Sequence, residues 1–192
     1  MSSLADSTPF TLAIALGANL PSQVGKPKST LITVRPLLQK IICEWIKSLS
    51  VIEISSQLIN QKLNWYWSSL YQSEPLGGPS NQPSFLNAVA LVEGEELLRQ
   101  IHSESAALNL LSRFFILEKE FGRNRKNESI KWGPRCLDID LLAWGGLQIN
   151  NEKLVLPHPY LLERHFVITP LAEALSKKCS SIKQLPPQKG WE

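Results

Sequence analysis

Lys131-Trp132-Gly133-Pro134-Arg135-Cys136-Leu137-Asp138-Ile139-Asp140-Leu141-Leu142 decides how this 192-residue chain is read. Gly133-Pro134 punctuates a turn, and the apolar residues that follow it interleave with two carboxylates. That pattern is a strand near the centre of a sheet. Alternate side chains on a strand point the same way, so Asp138 and Asp140 share a face. Two neighbouring carboxylates among apolar residues are costly unless positive charge sits between them. A hard cation such as Mg²⁺, held by one or two carboxylates plus substrate phosphates, supplies that charge. Arg135 suits a planar, multidentate anion such as phosphate. A bare D-x-D is otherwise a solvated face or a salt-bridged pair; its apolar flanks favour a metal–phosphate site at the mouth of a sheet.

The loop leading into this strand is basic. Arg123, Arg125, Lys126, Lys131 and Arg135 lie within thirteen residues. Charge runs are usually solvated, and with Trp132 as a stacking ring the run also fits a nucleic-acid patch. Its direct passage into two carboxylates favours cations that converge on a metal-bound phosphate chain, as phosphoryl transfer requires. The net charge of only +3 gives no support to general nucleic-acid binding.

Working outward, residues 11–16 read as a buried strand and 29–47 as a helix. The helix buries Leu31, Val34, Leu37, Leu38, Ile41, Ile42 and Trp45. Pro36 marks a kink or a later start. Residues 49–61 leave helix and strand open, 63–72 read as a strand, 74–83 as a Pro/Gly loop, and 84–93 as a strand. A long helix is expected over 95–121, with Glu95-Glu96 in its first turn and Gly122 closing it. Strand 137–143 follows, then a turn at Asn150-Asn151, a short strand over 153–156, a loop with one helical turn over 157–165, and an apolar stretch over 166–175. Residues 1–8 and 176–192 read as tails. The order β-α-β-β-α-β predicts a ferredoxin-like α+β fold, an antiparallel sheet with two helices on one face and long flexible loops over the site.

At 43% hydrophobic and 19% charged, the chain supports one globular domain over 1–192. Cys43, Cys136 and Cys179 have no zinc spacing and read as reduced cytoplasmic thiols. Phe10 to Ala18 has the length of a signal-peptide core, but no Lys or Arg precedes it and Asp6 does, so a first strand fits better. No apolar run approaches a membrane span.

Phe85 and Asn87 share a strand face, and with Phe166 they could sandwich and hydrogen-bond a flat heterocycle. Read alone they are core aromatics and a satisfied amide. His158, between two prolines, and Arg164 offer a second anion contact. The P-loop, Rossmann, nucleophile-elbow, HExxH and protein-kinase motifs are absent from the sequence.

Taken together, several blocks resemble the 6-hydroxymethyl-7,8-dihydropterin pyrophosphokinase family of folate biosynthesis. They are Ala15–Leu20 (ALGANL), Tyr71–Gly77 (YQSEPLG), Phe85–Val89 (FLNAV), Glu118 with Gly122–Arg125, Trp132–Arg135 with Leu137–Asp140, and Pro157–Pro159 with Arg164 and Phe166. The resemblance covers roughly residues 11–172. It implies transfer of pyrophosphate from ATP to 6-hydroxymethyl-7,8-dihydropterin, leaving AMP. It also implies two Mg²⁺ ions on Asp138 and Asp140, phosphate contacts from Arg123 and Arg135, and Trp132 on a mobile loop. Glu118, Arg125, Lys131, His158 and Arg164 would serve ATP. Leu76, Gly77, Phe85, Asn87 and Phe166 would hold the pterin.

The chain departs from the family pattern by expected insertions around 45–65 and 103–113 and by Phe115 where a glutamine is expected. Some relatives are fused to dihydropteroate synthase; a barrel of about 250 residues does not fit here. A monomer in the cytoplasm, with small-molecule substrates and neither nucleic acid nor membrane as partner, is expected. A ferredoxin-like RNA-binding module and an inactive relative kept as a scaffold are the alternatives. The carboxylates argue against the first, and the intact Arg123, Arg135, Asp138, Asp140 and Asn87 against the second.

Overall fold

The computed structural model describes residues 10–50, 53–125 and 130–178. The expected leader, most of the C-terminal tail, Lys126 and Cys179 lie outside them. Strand β1 (Leu12–Ala18) is central, paired antiparallel with β4 (Phe85–Glu93) on one side and β5 (Asp138–Trp144) on the other. Beyond β4 lie β2 (Asn64–Trp67) and β3 (Tyr71–Ser73), giving the order β2-β4-β1-β5 with β3 also on β4. This is the ferredoxin-like arrangement. Residues 63–72, read as one strand, form two short ones: Ser68 still bonds Val89 of β4 through its amide and its hydroxyl, the regular ladder breaks over Ser69–Leu70, and pairing resumes at Tyr71.

Alternation divides the sheet cleanly. Leu12, Ile14, Leu16, Ile139 and Leu141 face a core built on α1 (Pro27–Leu49) and α4 (Glu104–Glu120). Helix α1 buries Leu31, Val34, Leu38, Ile42, Trp45 and Ile46, a stripe with the expected spacing. It starts at Pro27, which suits a first helical position, and runs through Pro36, so the later start is corrected. Short helix α2 (Ser56–Lys62) resolves the ambiguous stretch, capped by Ser55 accepting from the Leu58 amide.

The helix expected over 95–121 is two helices, α3 (Glu95–Gln100) and α4. Ser103 breaks it by accepting from the Ala106 amide at 3.2 Å, a competing N-cap inside an unbroken apolar stripe. Hydrophobic spacing alone hides such a break. After β5, Ile149–Asn150 (β6) and Val155–Leu156 (β7) form a small hairpin, with 153–154 outside the strand expected there.

The larger correction concerns the opposite face. Residues 166–178 are not an apolar stretch followed by tail but helix α5 (His165–Lys178). With Val167 and Ala174 it covers Ala13, Val89, Leu91 and Leu142. Helices therefore lie on both faces, and the outer end of the α5 face is left open.

Candidate active site

The open end is a cleft with about 750 Å³ of empty space, part of it continuous with solvent. Strand register builds its floor. Gly17 pairs with Asn87 on β4 and with Asp138 on β5, and Ala15 pairs with Asp140. Asn87, Gly17 and Asp138 thus form a row across three strands. A Cβ at Gly17 would stand 3.4 Å from Asn87 Oδ1 and 3.9 Å from Asp138 Cβ, so the glycine keeps the floor low. Leu76, Phe85, Trp132, Arg135, His158, Arg164 and Phe166 complete the lining.

One end of the cleft is apolar and amide-lined. Asn87 Nδ2 donates to Ser73 Oγ at 2.9 Å, which turns Oδ1 toward Gly17. Phe85 and Phe166 line the same cleft. The other end is charged. Asp138 accepts from Arg123 in a very short contact and from Arg135 Nη1 at 2.7 Å. Burial pushes its carboxyl up, but the arginines outweigh that and hold it below the usual range. Asp140 has the opposite fate. Burial and the charges of Asp138 and Glu118 push it up to about 7.

Behind the carboxylates, outside the cleft lining, lies an ionic layer in which Glu118 and Arg123 are buried and Arg125 is exposed. Glu118, 0% exposed at the end of α4, accepts from Arg123 Nη1 at 2.8 Å, from Arg125 Nε and Nη2 at 2.7 and 2.9 Å, and from the Ile139 amide at 2.8 Å. Burial raises its carboxyl despite these donors. Arg123 is itself 6% exposed and joins Glu118 to Asp138. Arg125 stacks 4.0 Å over Phe115, so the unexpected phenylalanine serves as a platform for that guanidinium.

Two loops meet over the cleft. Trp132, in a left-handed backbone conformation at φ 58° and half-exposed, lays its ring on Gly77. A Cβ on Gly77 would come within 2.4 Å of that ring, and one on Gly78 within 2.3 Å of the Trp132 carbonyl. Lys131 sits 4.6 Å over the same ring. Gln82 Nε2 donates to the Gly77 and Trp132 carbonyls at 2.9 and 3.1 Å.

Buried Asn19 ties both loops to β1. Its Oδ1 accepts from the Arg135 amide at 2.7 Å and its Nδ2 donates to the Pro83 carbonyl at 2.9 Å. Ser73, Gln82 and Asn19 had no role in the sequence reading. Their contacts span 14 to 116 residues, and no local pattern reveals them.

On the third side, His158 accepts the Tyr160 amide on Nδ1 at 3.2 Å, and burial lowers its pKa. Arg164 lies 4.7 Å over Tyr160 with a buried, unpartnered Nε. Among the described residues no three His, Cys, Asp or Glu side chains gather tightly enough to hold a metal alone. Two carboxylates on one face, one of them pushed up by burial and its acidic neighbours, nonetheless fit Mg²⁺ that completes its shell with substrate oxygens and water.

The ferredoxin-like sheet thus carries a cleft that brings carboxylates and arginines together with Asn87, Phe85 and Phe166. The 7,8-dihydro-6-hydroxymethylpterin-pyrophosphokinase family model matches residues 13–176, and the chain belongs to that family. It is similar to the 2-amino-4-hydroxy-6-hydroxymethyldihydropteridine pyrophosphokinases of Haemophilus influenzae and Methylorubrum extorquens. The first is 40% identical over 127 residues, 66% of this chain and 71% of that protein. The second is 39% identical over 106 residues, 55% of this chain and 59% of that protein. The folic acid synthesis protein fol1 of Pneumocystis carinii is 41% identical over 106 residues, 55% of this chain and 13% of that protein.

Proposed function

We propose that the chain transfers the β,γ-pyrophosphoryl group of ATP to the hydroxymethyl oxygen of 6-hydroxymethyl-7,8-dihydropterin, releasing AMP and a proton. The row Asn87–Gly17–Asp138 carries this reading, because it sets a ring-binding amide beside a phosphate-side carboxylate on one rigid floor. Phe85 and Phe166 stack on the pterin while the Asn87 amide and the main chain at Leu76 and Gly77 read its edge. Arg135, Arg164, His158 and Lys131 meet the phosphates. Arg123, Arg125 and Glu118 act from behind, holding Asp138 charged and in place. Trp132 excludes water from above. Mg²⁺ held by Asp138 and Asp140, two ions in the full complex, would neutralise the phosphate chain. The rate then rests on alignment of the hydroxyl with the β-phosphorus and on fixed positive charge around it.

The same proposal takes the chain as one catalytic domain, monomeric and cytoplasmic, with insertions around 45–65 and 103–113. Free Cys43 and Cys136 and the small-molecule cleft support it. Among the described residues no helix is long and apolar enough to cross a membrane. The test is AMP release by the purified chain with ATP, Mg²⁺ and the reduced hydroxymethylpterin, with ADP followed in parallel. AMP that needs both pterin and metal is expected. ADP instead would mean single-phosphoryl transfer and a wrong acceptor geometry, and no turnover with pterin still bound would mean an inactive relative.

A further inference from the structure

Helix α5 reaches the cleft at one end and is anchored at the other. Phe166, at its start, lines the ring slot. Glu173 lies seven residues on, two turns along the same side of the helix and about 10 Å away. Its carboxylate is the meeting point of four donors. These are the Ser69 amide at 2.8 Å, Ser69 Oγ at 2.9 Å, Tyr71 Oη at 2.9 Å and Lys177 Nζ at 2.6 Å.

Tyr71 opens β3, Ser69 lies two residues before it, and Ser73 closes the strand at the cleft. On that strand Tyr71 stands opposite Asn87, and Ser73 takes the Asn87 amide hydrogen. Helix and strand are therefore two rails. The near ends carry Phe166 on one and Ser73 on the other; Glu173 fastens the far ends at Ser69 and Tyr71, and Asn87, on β4 opposite Tyr71, is bonded to Ser73. The apolar contacts of α5, through Val167 and Ala174, hold it onto the sheet but are non-directional and set its lateral position loosely. Charge-assisted hydrogen bonds are directional and short, and they fix it.

We propose that Glu173 is a positioning residue for the ring slot, setting the separation of Phe166 from Asn87 through its bonds to Ser69 and Tyr71. The inference rests on the pterin reading of that slot. It assigns Glu173 and Tyr71 to pterin affinity ahead of nucleotide affinity: Arg123, Arg135 and Asp138 at the other end of the cleft are held by one another and by Glu118 of α4, and Arg164, whose carbonyl accepts the Val167 and Ile168 amides, lies at the end of α5 away from Glu173.

The test uses the full chain with Glu173→Gln and, separately, Tyr71→Phe. The second removes one donor but leaves Ser69 and Lys177 on the carboxylate and the β3–β4 ladder intact, so it folds even where the first does not. KM for pterin and for ATP are measured, together with direct binding of oxidised 6-hydroxymethylpterin followed by its fluorescence. A hydrogen bond to a charged group is worth enough that pterin KM and Kd should rise about tenfold in Glu173→Gln and less in Tyr71→Phe. KM for ATP should stay within about twofold. Parallel loss of both affinities would mean a merely structural role and overturn the proposal, as would unchanged pterin affinity in both variants. A wild-type chain that binds pterin yet releases no AMP would sink the transfer reading alone and leave Kd to decide this one; a chain that binds no pterin would sink both.

Discussion

Asn87 and Asp138 flank Gly17 on adjoining strands, each paired directly with it. With strands about 4.8 Å apart, the two side chains rise from the sheet about 10 Å from one another. That span suits the proposed pose, with the bicyclic ring at Asn87 and its one-carbon arm directed toward Asp138. The glycine between them is in a strand, where it needs no unusual backbone angle, so its role is to be small. Gly17→Ala should fold with stability changed by no more than about 0.5–1 kcal/mol. The added methyl would meet Asn87 Oδ1 at 3.4 Å and Phe85 at 3.8 Å, inside the slot. Pterin KM should rise several-fold with ATP KM unchanged; steady-state kinetics with each substrate varied in turn checks this.

The two carboxylates should part company when stability and turnover are measured together. Asp138 is bonded to Arg123 and Arg135, so Asp138→Ala strips buried Arg123 of a partner. About 1–3 kcal/mol of stability should go with it. Burial and two like charges oppose the charge on Asp140, so Asp140→Asn should be neutral or stabilising by about 1 kcal/mol. Both variants should lose AMP release. Urea midpoints beside an AMP assay decide the matter, and an active Asp140→Asn would remove the metal assignment.

How far the sequence could be read follows the range of the interactions. Period-2 and period-3.6 patterns report which face is buried, so β1, β4, β5 and the stripe of α1 were legible, as was the pairing of Asp138 with Asp140 on one face. The stop inside 95–121 was not. The Ser103 cap competes with the helix only because Trp45 and Trp144 pack around that turn, with Trp45 Nε1 donating to the Ala106 carbonyl at 3.1 Å and His102 ring nitrogen on the Trp144 carbonyl at 3.1 Å. Helix α5 was missed because its apolar residues serve one face only after the sheet is assembled. The arginine-rich loop looked like a surface for phosphate, yet Arg123 points inward, since the burial of Glu118 demands a counter-charge that spacing alone does not announce.

That demand gives the next expectation. Glu118 satisfies Arg123, Arg125 and the first amide after Asp138 at once. Glu118→Gln puts an amide donor among guanidinium donors and takes one carboxylate away from buried Arg123. Breaking one side of a buried pair costs about 3–5 kcal/mol, and the same loss is expected in a urea titration here. Because Arg123 then loses one of the two carboxylates that hold it beside Asp138, turnover should fall as well, even though Glu118 does not line the cleft. A variant with wild-type stability would show that the ionic layer contributes nothing net.

Glu173 provides a pH signature for the α5 anchor. Its hydrogen bonds from Lys177, Ser69 and Tyr71 outweigh burial and hold the carboxyl down to about 2, against an ordinary 4.5. A group depressed on folding stabilises the fold fully above its unfolded value. As pH falls from about 4.5 toward 2, the unfolded chain takes up the proton first, and that stabilisation drains away. Urea midpoints measured at about pH 6 and about pH 3 should therefore drop more steeply for the wild type than for Glu173→Gln. Subtracting the variant's curve removes the other carboxylates, Asp138 among them, from the comparison. Parallel curves would mean that the four donors do not hold the charge in solution, and the rigid separation of Phe166 from Asn87 would lose its physical basis.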